Sequence, residues 1–270
     1  MSGPAGVTHS RRMTAPTPRP TSRFGWIPDL PDHRDHLFSA PQPVLGELPP
    51  RVDLRPDCPK KLYDQGQLGS CTANAIAAAF EFDLTRQALP DFMPSRLFIY
   101  YNERRMEGTI NCDSGAMIRD GIKSMSKQGV CTEDTWPYDI AKFVDEPAKK
   151  CYTEALGNLA VSYQRVPQTL NQLRGCLAHG YPFVFGFRVY ESFESAEVAR
   201  TGVVPLPASG EQALGGHAVL AVGYDDATAR FLVRNSWGPD WGQGGHFTIP
   251  YTYLTERGLS SDFWMIAQVR

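Results

Sequence analysis

A cysteine between a glycine-punctuated loop and an alanine-rich run is the first residue in this sequence that could do chemistry. Cys71 follows the loop of residues 65–70, and the run after it contains no helix breaker before Pro90. The pattern predicts a helix that begins at Cys71, where unpaired backbone N–H groups and the helix dipole would stabilise a thiolate. Gly66 and Gly69 leave room for another backbone to approach. Taken alone, the cysteine is equally consistent with a buried structural residue.

A histidine and an asparagine stand at the ends of two strands that the sequence predicts to be neighbours. His217 opens an apolar run at 217–224, and Asn235 follows a second run at 231–234. The turn between the runs predicts a hairpin, in which the two strand ends far from the turn lie side by side. The Asn235 side chain could then bond one ring nitrogen of His217 and leave the other nitrogen facing a thiol. An imidazolium in that place would lower the pKa of a nearby cysteine.

The elements that carry these residues change type along the chain. Helical patterns follow Cys71 and recur at 95–104 and 116–129, so that residues of about 58–160 form a helical half. From about residue 161 to 270 the pattern is that of antiparallel strands, at 182–189, 217–224, 231–234, 245–249 and 263–267. This order predicts an α+β protein with a cleft between a helical half and a β-rich half.

Composition excludes several classes of protein. Hydrophobic residues make up 42% of the 270 residues and charged residues 21%, which is ordinary for a soluble globular protein. The net charge of −2 argues against a nucleic-acid partner. No apolar run approaches the ~18 residues that a membrane span needs, so no membrane insertion is expected.

The number and spacing of the cysteines constrain the cellular compartment and the metal sites that can be expected. If one of the six cysteines is a nucleophile, the odd remainder cannot pair fully within one chain. The N-terminus lacks the apolar core of a secretory signal, which favours a reducing compartment, the cytoplasm by default, with non-classical export left open. There is no CxxC pair, and we expect neither a metal nor a cofactor.

The first 47 residues are rich in proline and form an extension of their own. Residues 1–23 have the composition of a disordered tail. Phe24, Trp26 and Ile27 then lie in an extended, proline-stiffened stretch that can dock along a groove at low entropic cost. Two interpretations remain open: a strap across the domain surface, or an inhibitory prosegment in the substrate cleft. The globular domain is expected to span 48–270.

Three motifs together resemble the active-site motifs of the papain-like cysteine peptidases. They are Gln65-x5-Cys71, Gly-Gly-His-Ala at 215–218, and Asn-Ser-Trp-Gly-x-x-Trp-Gly at 235–242. The interval of 146 residues between Cys71 and His217 lies within the span of that family. The resemblance implies a papain-like fold of two subdomains, a helical half and an antiparallel, β-barrel-like half, with the active-site cleft between them.

The resemblance also implies a role for each residue. Cys71 would be the nucleophile, His217 the general base and acid, and Asn235 the residue that orients the imidazole. Gln65 would share the oxyanion hole with the Cys71 backbone N–H. Trp237 resembles the indole that shields the histidine–asparagine bond, and Trp241 resembles the aromatic wall on the leaving-group side. The implied substrates are peptides or proteins, and the chain is expected to be a monomer.

Six further positions resemble the walls of the pocket for P2, the second substrate residue before the scissile bond. They are Gly115, Ala116, Met117, Gly186, Gly216 and Ala218. Small walls and an apolar floor predict a bulky apolar P2 side chain. Met117 is equally well explained as part of a helix core.

Two features depart from the common family pattern. Leu68 and Thr72 stand where the family usually has cysteine and tryptophan, so Cys112, which resembles the usual disulfide partner, is left free or rewired. The extension is also far shorter than the helical prosegment of many members. Both features resemble the bacterial branch, of the xylellain type.

Two other functions remain open alongside the cysteine endopeptidase. One is another Cys–His acyl transfer such as a transglutaminase-like amide exchange, against which Asn235 and the tryptophans Trp237 and Trp241 argue. The other is a catalytically silent binding protein, against which the intact chemical positions argue.

Overall fold

The computed structural model describes residues 24–270, which hold eight α-helices and seven β-strands. The helices are α1 Gln42–Gly46, α2 Cys71–Arg86, α3 Arg96–Glu107, α4 Ile118–Gln128, α5 Lys149–Ala155, α6 Leu170–Ala178, α7 Ala196–Thr201 and α8 Tyr251–Thr255. The strands are β1 Arg51–Asp53, β2 Ala160–Arg165, β3 Phe183–Tyr190, β4 Ala213–Asp225, β5 Arg230–Arg234, β6 His246–Pro250 and β7 Ser260–Val269. The predicted disordered tail at 1–23 lies outside the described residues.

Helix α2 begins at the predicted residue and runs through the middle of the molecule. The Asn74 N–H donates to the carbonyl of Ser70 at 3.0 Å and closes the first turn. Every residue from Cys71 to Leu84 is buried. A helix that is buried on all sides needs small side chains where other elements approach, which the alanine run supplies. Cys71 is therefore fixed at the start of a helix enclosed by protein.

The strands form one antiparallel sheet in the order β2-β7-β3-β4-β5-β6, with β1 pairing with β4. Strand β4 pairs with β3 along its first part and with β5 along its last part, from Leu220 opposite Arg234 to Asp225 opposite Arg230. This is the predicted hairpin. Over the described residues the sheet is open, with β2 and β6 at its ends, and it is not closed into a barrel. The α+β class is confirmed.

The sheet separates two hydrophobic cores. Neighbouring residues of β3 point to opposite faces, so that Val184 joins the core around α2 while Phe183 and Phe185 join the second core. The half expected to be rich in strands also contains α6, α7 and α8. Among the described helices, none is both long and apolar enough to cross a membrane.

Candidate active site

Cys71 lies at the start of α2 with its thiol enclosed by protein. Its Sγ accepts a hydrogen bond from the Ala218 N–H at 3.4 Å, and the backbone N–H groups of Gly25 and Thr72 also point at it. The side chain is fully buried, and this burial raises the pKa of the Cys71 thiol to about 12. In this arrangement the thiol is protonated at neutral pH.

His217 and Asn235 are brought together by the β4–β5 hairpin. The His217 Nε2 lies 2.8 Å from the Asn235 Oδ1, and the Ser236 N–H donates to the same oxygen at 2.9 Å. Since Ala218 follows His217 directly, its contact with the Cys71 Sγ brings the imidazole-bearing stretch of β4 to the thiol. Asn235 thus holds one ring nitrogen of His217 beside the start of α2.

Two tryptophans enclose this pair. The Trp237 indole stacks on the His217 ring with centroids 5.0 Å apart, and Trp241 meets Trp237 edge-on at 5.1 Å. Both are buried, and Phe193 packs against both indoles. Apolar rings in this position exclude water from the hydrogen bond between the histidine and the asparagine.

Gln65 connects the two halves of the molecule. Its N–H donates to the Ser236 carbonyl at 2.9 Å, and its Oε1 accepts from the Ser236 Oγ at 2.7 Å. Its Nε2 donates to the Leu68 carbonyl at 2.9 Å. The loop is also held at Gly69, whose N–H lies 3.0 Å from both carboxylate oxygens of Asp113. The Gln65 amide is therefore fixed against the loop that leads into α2.

Residues 48–264 match the family described as "Papain family cysteine protease". The chain belongs to the papain family of cysteine proteases. It is a cysteine peptidase, and hence a hydrolase, whose substrates are peptides or proteins.

Several papain-family relatives agree with this membership. The peptidase C1-like protein L477 of Acanthamoeba polyphaga mimivirus is 44% identical, over 91% of this chain and 87% of the relative. The crystal structure of xylellain, a cysteine protease from Xylella fastidiosa, is 46% identical, with a TM-score of 0.86 over 95% of this chain and all of that one. Digestive procathepsin L 3 of Tenebrio molitor shares the fold at 17% identity, with a TM-score of 0.72 over 92% of this chain and 77% of the other.

Residues 24–40, here called the cover segment, run over the thiol of this papain-family chain. The Ala116 N–H donates to the Gly25 carbonyl at 2.7 Å, and the Ile27 N–H donates to the Ala116 carbonyl at 3.0 Å. The Trp26 N–H donates to the Gly216 carbonyl at 3.0 Å. A Cβ on Gly25 would lie 1.7 Å from the Gly69 carbonyl oxygen, so only glycine fits there. This is the close backbone approach that the glycines of the loop predict.

The aromatic side chains of the cover segment occupy the cleft on either side of Gly25. The Phe24 ring lies 6.2 Å from the His217 ring and 6.3 Å from Trp237. A Cβ on Gly186 would lie 1.9 Å from the Trp26 ring. The two aromatic rings of this stretch therefore pack against His217, Trp237 and Gly186.

The predicted pocket residues fall into three groups. Gly115, Ala116, Gly186 and Gly216 contact the cover segment; a Cβ on Gly115, for example, would lie 2.1 Å from the Gly25 carbonyl oxygen. Ala218 is fully buried and turns its N–H to the thiol. Met117 is half-buried just before α4, where its N–H donates to the Glu107 carboxylate at 2.7 Å.

Sequence reasoning missed the polar anchor of the cover segment. Arg119 Nη2 lies 2.6 Å from the Asp35 carboxylate, and Arg165 contacts both Asp35 at 3.2 Å and Asp262 at 2.9 Å. Asp29 accepts from the Trp264 indole at 2.8 Å and from the Arg119 N–H at 3.1 Å. The one signal in the sequence is an acid every third residue at 29, 32 and 35, in a stretch that otherwise lacks a core pattern.

The departures from the family pattern have local partners. The Thr72 hydroxyl donates to the buried Glu103 carboxylate at 2.6 Å, and Leu68 is buried. All six cysteines, including the exposed Cys112, are free thiols. Within residues 24–270 no three His, Cys, Asp or Glu side chains are grouped so that they could hold a metal ion.

Proposed function

We propose that this chain is a cysteine endopeptidase that uses Cys71, His217, Asn235 and Gln65, and that its N-terminal extension, residues 1–47, restrains the domain of residues 48–270. The observation that carries the proposal is the hydrogen bond between His217 Nε2 and Asn235 Oδ1 at 2.8 Å. It lies beside the Cys71 thiol, which accepts a hydrogen bond from the Ala218 N–H at 3.4 Å. A thiol, an imidazole and a residue that orients the imidazole are the three parts of an activated sulfur nucleophile.

The chemistry follows from these positions. Asn235 holds Nε2, so Nδ1 is the His217 nitrogen that takes the thiol proton. The Cys71 thiolate then attacks the substrate carbonyl carbon, and the carbonyl π electrons move to oxygen. The Gln65 side-chain amide and the Cys71 N–H would donate hydrogen bonds that stabilise the oxyanion.

Three proton transfers complete the cycle. Collapse of the tetrahedral intermediate breaks the C–N bond, and the His217 imidazolium gives its proton to the leaving amine. A water molecule then gives a proton to the neutral imidazole and attacks the thioester carbonyl carbon. The C–S bond breaks to release the acid, and the imidazolium gives its proton back to the departing thiolate. The stack of Trp237 on His217 supports this by keeping solvent off the histidine–asparagine bond.

The cover segment would inhibit because it fills the cleft without presenting a bond that can be cut. The Gly25 N–H points at the thiol, while the Gly25 carbonyl accepts from the Ala116 N–H. Burial under this segment also keeps the Cys71 thiol protonated. Departure of the segment would let substrate and solvent reach the thiol.

The test compares two glycine substitutions in the full-length chain. Gly25→Ala puts a methyl group against the Gly69 carbonyl, whereas Gly46→Ala meets no atom within 4 Å and serves as the matched control. Hydrolysis of a fluorogenic peptide should rise on the order of tenfold or more for Gly25→Ala and stay unchanged for Gly46→Ala. Adding Cys71→Ala to Gly25→Ala should remove at least about four orders of magnitude of that activity.

Each other outcome selects a different function. Equal activity of Gly25→Ala and the wild type would mean that the cover segment is a strap across the domain surface and does not inhibit the enzyme. Absence of turnover in every folded form would favour a binding protein. A product that carries an added primary amine instead of water, identified by mass spectrometry, would identify amide exchange.

A further inference from the structure

The Trp26 side chain fills a pocket that is lined in part by two glycines, Gly186 and Gly216, which have no side chains. A Cβ on Gly186 would lie 1.9 Å from Trp26 Cε2, and a Cβ on Gly216 would lie 2.6 Å from Trp26 Cε3. Trp26 itself is 8% exposed. Gly186 on β3 and Gly216 on β4 are diagonal neighbours on one face of the sheet, and the flat Trp26 ring fills the slot that their missing side chains leave.

The floor of this slot is polar. Trp26 Nε1 donates to the Asp262 Oδ2 at 3.2 Å, and the Asp29 N–H donates to the same oxygen at 2.8 Å. Asp262 is buried, with φ of +59°, a backbone conformation that most side chains avoid. The carboxylate is thus fixed at the end of the slot, on strand β7.

Departure of the cover segment changes the charge at this floor. Asp29 and Asp35 would leave with the segment, so Arg119 would lose the two carboxylates that it now contacts and Arg165 would lose Asp35. Arg165 Nη2 remains 2.9 Å from the Asp262 Oδ1. In the open pocket the Arg165 guanidinium beside Asp262 would disfavour a further cation at this carboxylate. The Asp262 Oδ2 would lose the two donors that the segment gives it, while the Ser261 side chain would still bond the carboxylate.

We propose that this pocket selects tryptophan as the P2 side chain of the substrate, with Asp262 as the residue that recognises the indole N–H. The inference rests on the proposed peptidase function and replaces the expected apolar floor. Phenylalanine fits the slot but cannot donate to Asp262. Arginine can donate, but the Arg165 guanidinium that already pairs with Asp262 opposes it. A site built to bond an N–H group rejects an analogue without that group more strongly than it rejects a change in size.

The first experiment measures kcat/KM for four fluorogenic peptides that differ only at P2, which is Trp, Phe, Leu or Arg. The enzyme is the full-length Trp26→Ala chain, in which the slot is emptied, and Leu30→Ala, a change at an exposed position of the same segment, is the control. The Trp peptide should exceed the Phe peptide by about tenfold, the typical effect of one hydrogen bond to a charged group. Adding Asp262→Asn, or Asp262→Gly to retain the unusual backbone, should bring the Trp-to-Phe ratio close to one.

A ratio near one in the Trp26→Ala chain, or a preference for Arg, would overturn the proposal. A second measurement needs no catalysis: the rate at which iodoacetamide alkylates Cys71 in full-length chains, read from the peptide that contains Cys71. Trp26→Phe should speed alkylation by about tenfold, and much less when Asp262→Asn is already present. If no peptide is cut, the proposed function fails, while this coupling still decides whether the pocket recognises an indole; additive effects of the two changes would show that it does not.

Discussion

The floor of the cleft and the segment that covers it are held by different kinds of interaction. Gln65, Cys71, His217 and Asn235, here called the cleft floor, are at most 3% exposed and are fixed by a helix start, a hairpin and backbone bonds. The cover segment forms backbone hydrogen bonds with distant residues in two short stretches, at 25–27 and 36–38, and between them it is anchored by side-chain contacts.

This difference indicates which part of the molecule can move. The floor is built into the two cores, so it keeps its geometry as long as the domain is folded. The cover segment contributes Trp26, Phe38 and Ala40 to those cores and is otherwise held by separate polar contacts, whose loss can release it without unfolding the rest of the domain. Changes in the two regions should therefore affect different measurements.

Gln65→Ala should give the largest effect confined to the floor. In the full-length Gly25→Ala background, we expect kcat to fall by about 10²–10³, the usual effect of losing one oxyanion donor. Exposed Gln67→Ala, two residues away, is the matched control and should leave kcat unchanged. A loss below tenfold would remove Gln65 from the oxyanion hole. Thermal denaturation separates this effect from the loss of the Ser236 and Leu68 bonds.

Arg119→Ala should give the largest effect confined to the cover segment. The ion pair with Asp35 has side chains 5% and 7% exposed, and breaking such a buried pair costs about 3 kcal/mol, or about a hundredfold in an equilibrium. Alkylation of Cys71 in the full-length chain should therefore become about a hundredfold faster. Arg105→Ala breaks an exposed pair with Glu146, 54% and 63% exposed, and should change the rate by less than about twofold. Equal rates for the two variants would mean that the aromatic side chains alone hold the segment.

The two regions also differ in how far the sequence predicts them. The proximity of His217 and Asn235 follows from one hairpin, and the position of Cys71 follows from one loop and one helix, so local patterns suffice. The apolar content of Phe24 to Ile27 predicts a groove but leaves a strap and a cleft-filling segment open. Nothing local predicts that Asp262 would lie under Trp26, because 236 residues separate them and the link is a single side-chain hydrogen bond.

The order of helices and strands along the chain can be predicted for the same reason, since helical and strand periodicity are local patterns. The open form of the sheet cannot be predicted in this way, because closure into a barrel depends on the positions of the end strands β2 and β6 relative to one another. The pairing of β1 with the far end of β4 joins residues about 170 positions apart in the chain and likewise leaves no local trace.

The pH dependence of covering should give the smallest effect, and it depends on Asp29. Burial, and then the charge of Asp262, raise the pKa of Asp29 from 3.8 to about 7, although the Trp264 indole and Arg119 act in the opposite direction. Burial also raises the pKa of Asp262, and Glu107 adds a further negative charge nearby. The covered chain therefore binds a proton more tightly than the uncovered chain.

The sign of the pH dependence follows from linkage. Stabilisation of the covered form by this proton is complete below about pH 3.8 and is lost as pH rises through about 7. The ratio of the Cys71 alkylation rates of wild type and Asp29→Asn cancels the ionisation of the thiol itself. This ratio should rise by about tenfold from pH 5 to pH 8.

Asp32→Asn is the matched control for Asp29→Asn. Asp32 pairs with Arg34 at 2.8 Å, which holds its pKa low, so Asp32 keeps its charge throughout this range and the ratio of wild type to Asp32→Asn should stay flat. A flat ratio for Asp29→Asn as well would mean that Arg119 and Trp264 keep the buried carboxylate ionised. The polar anchor would then be equally stable from pH 5 to pH 8. The aromatic side chains and the ion pairs would hold the cover segment in place, and no group that titrates in this pH range would contribute.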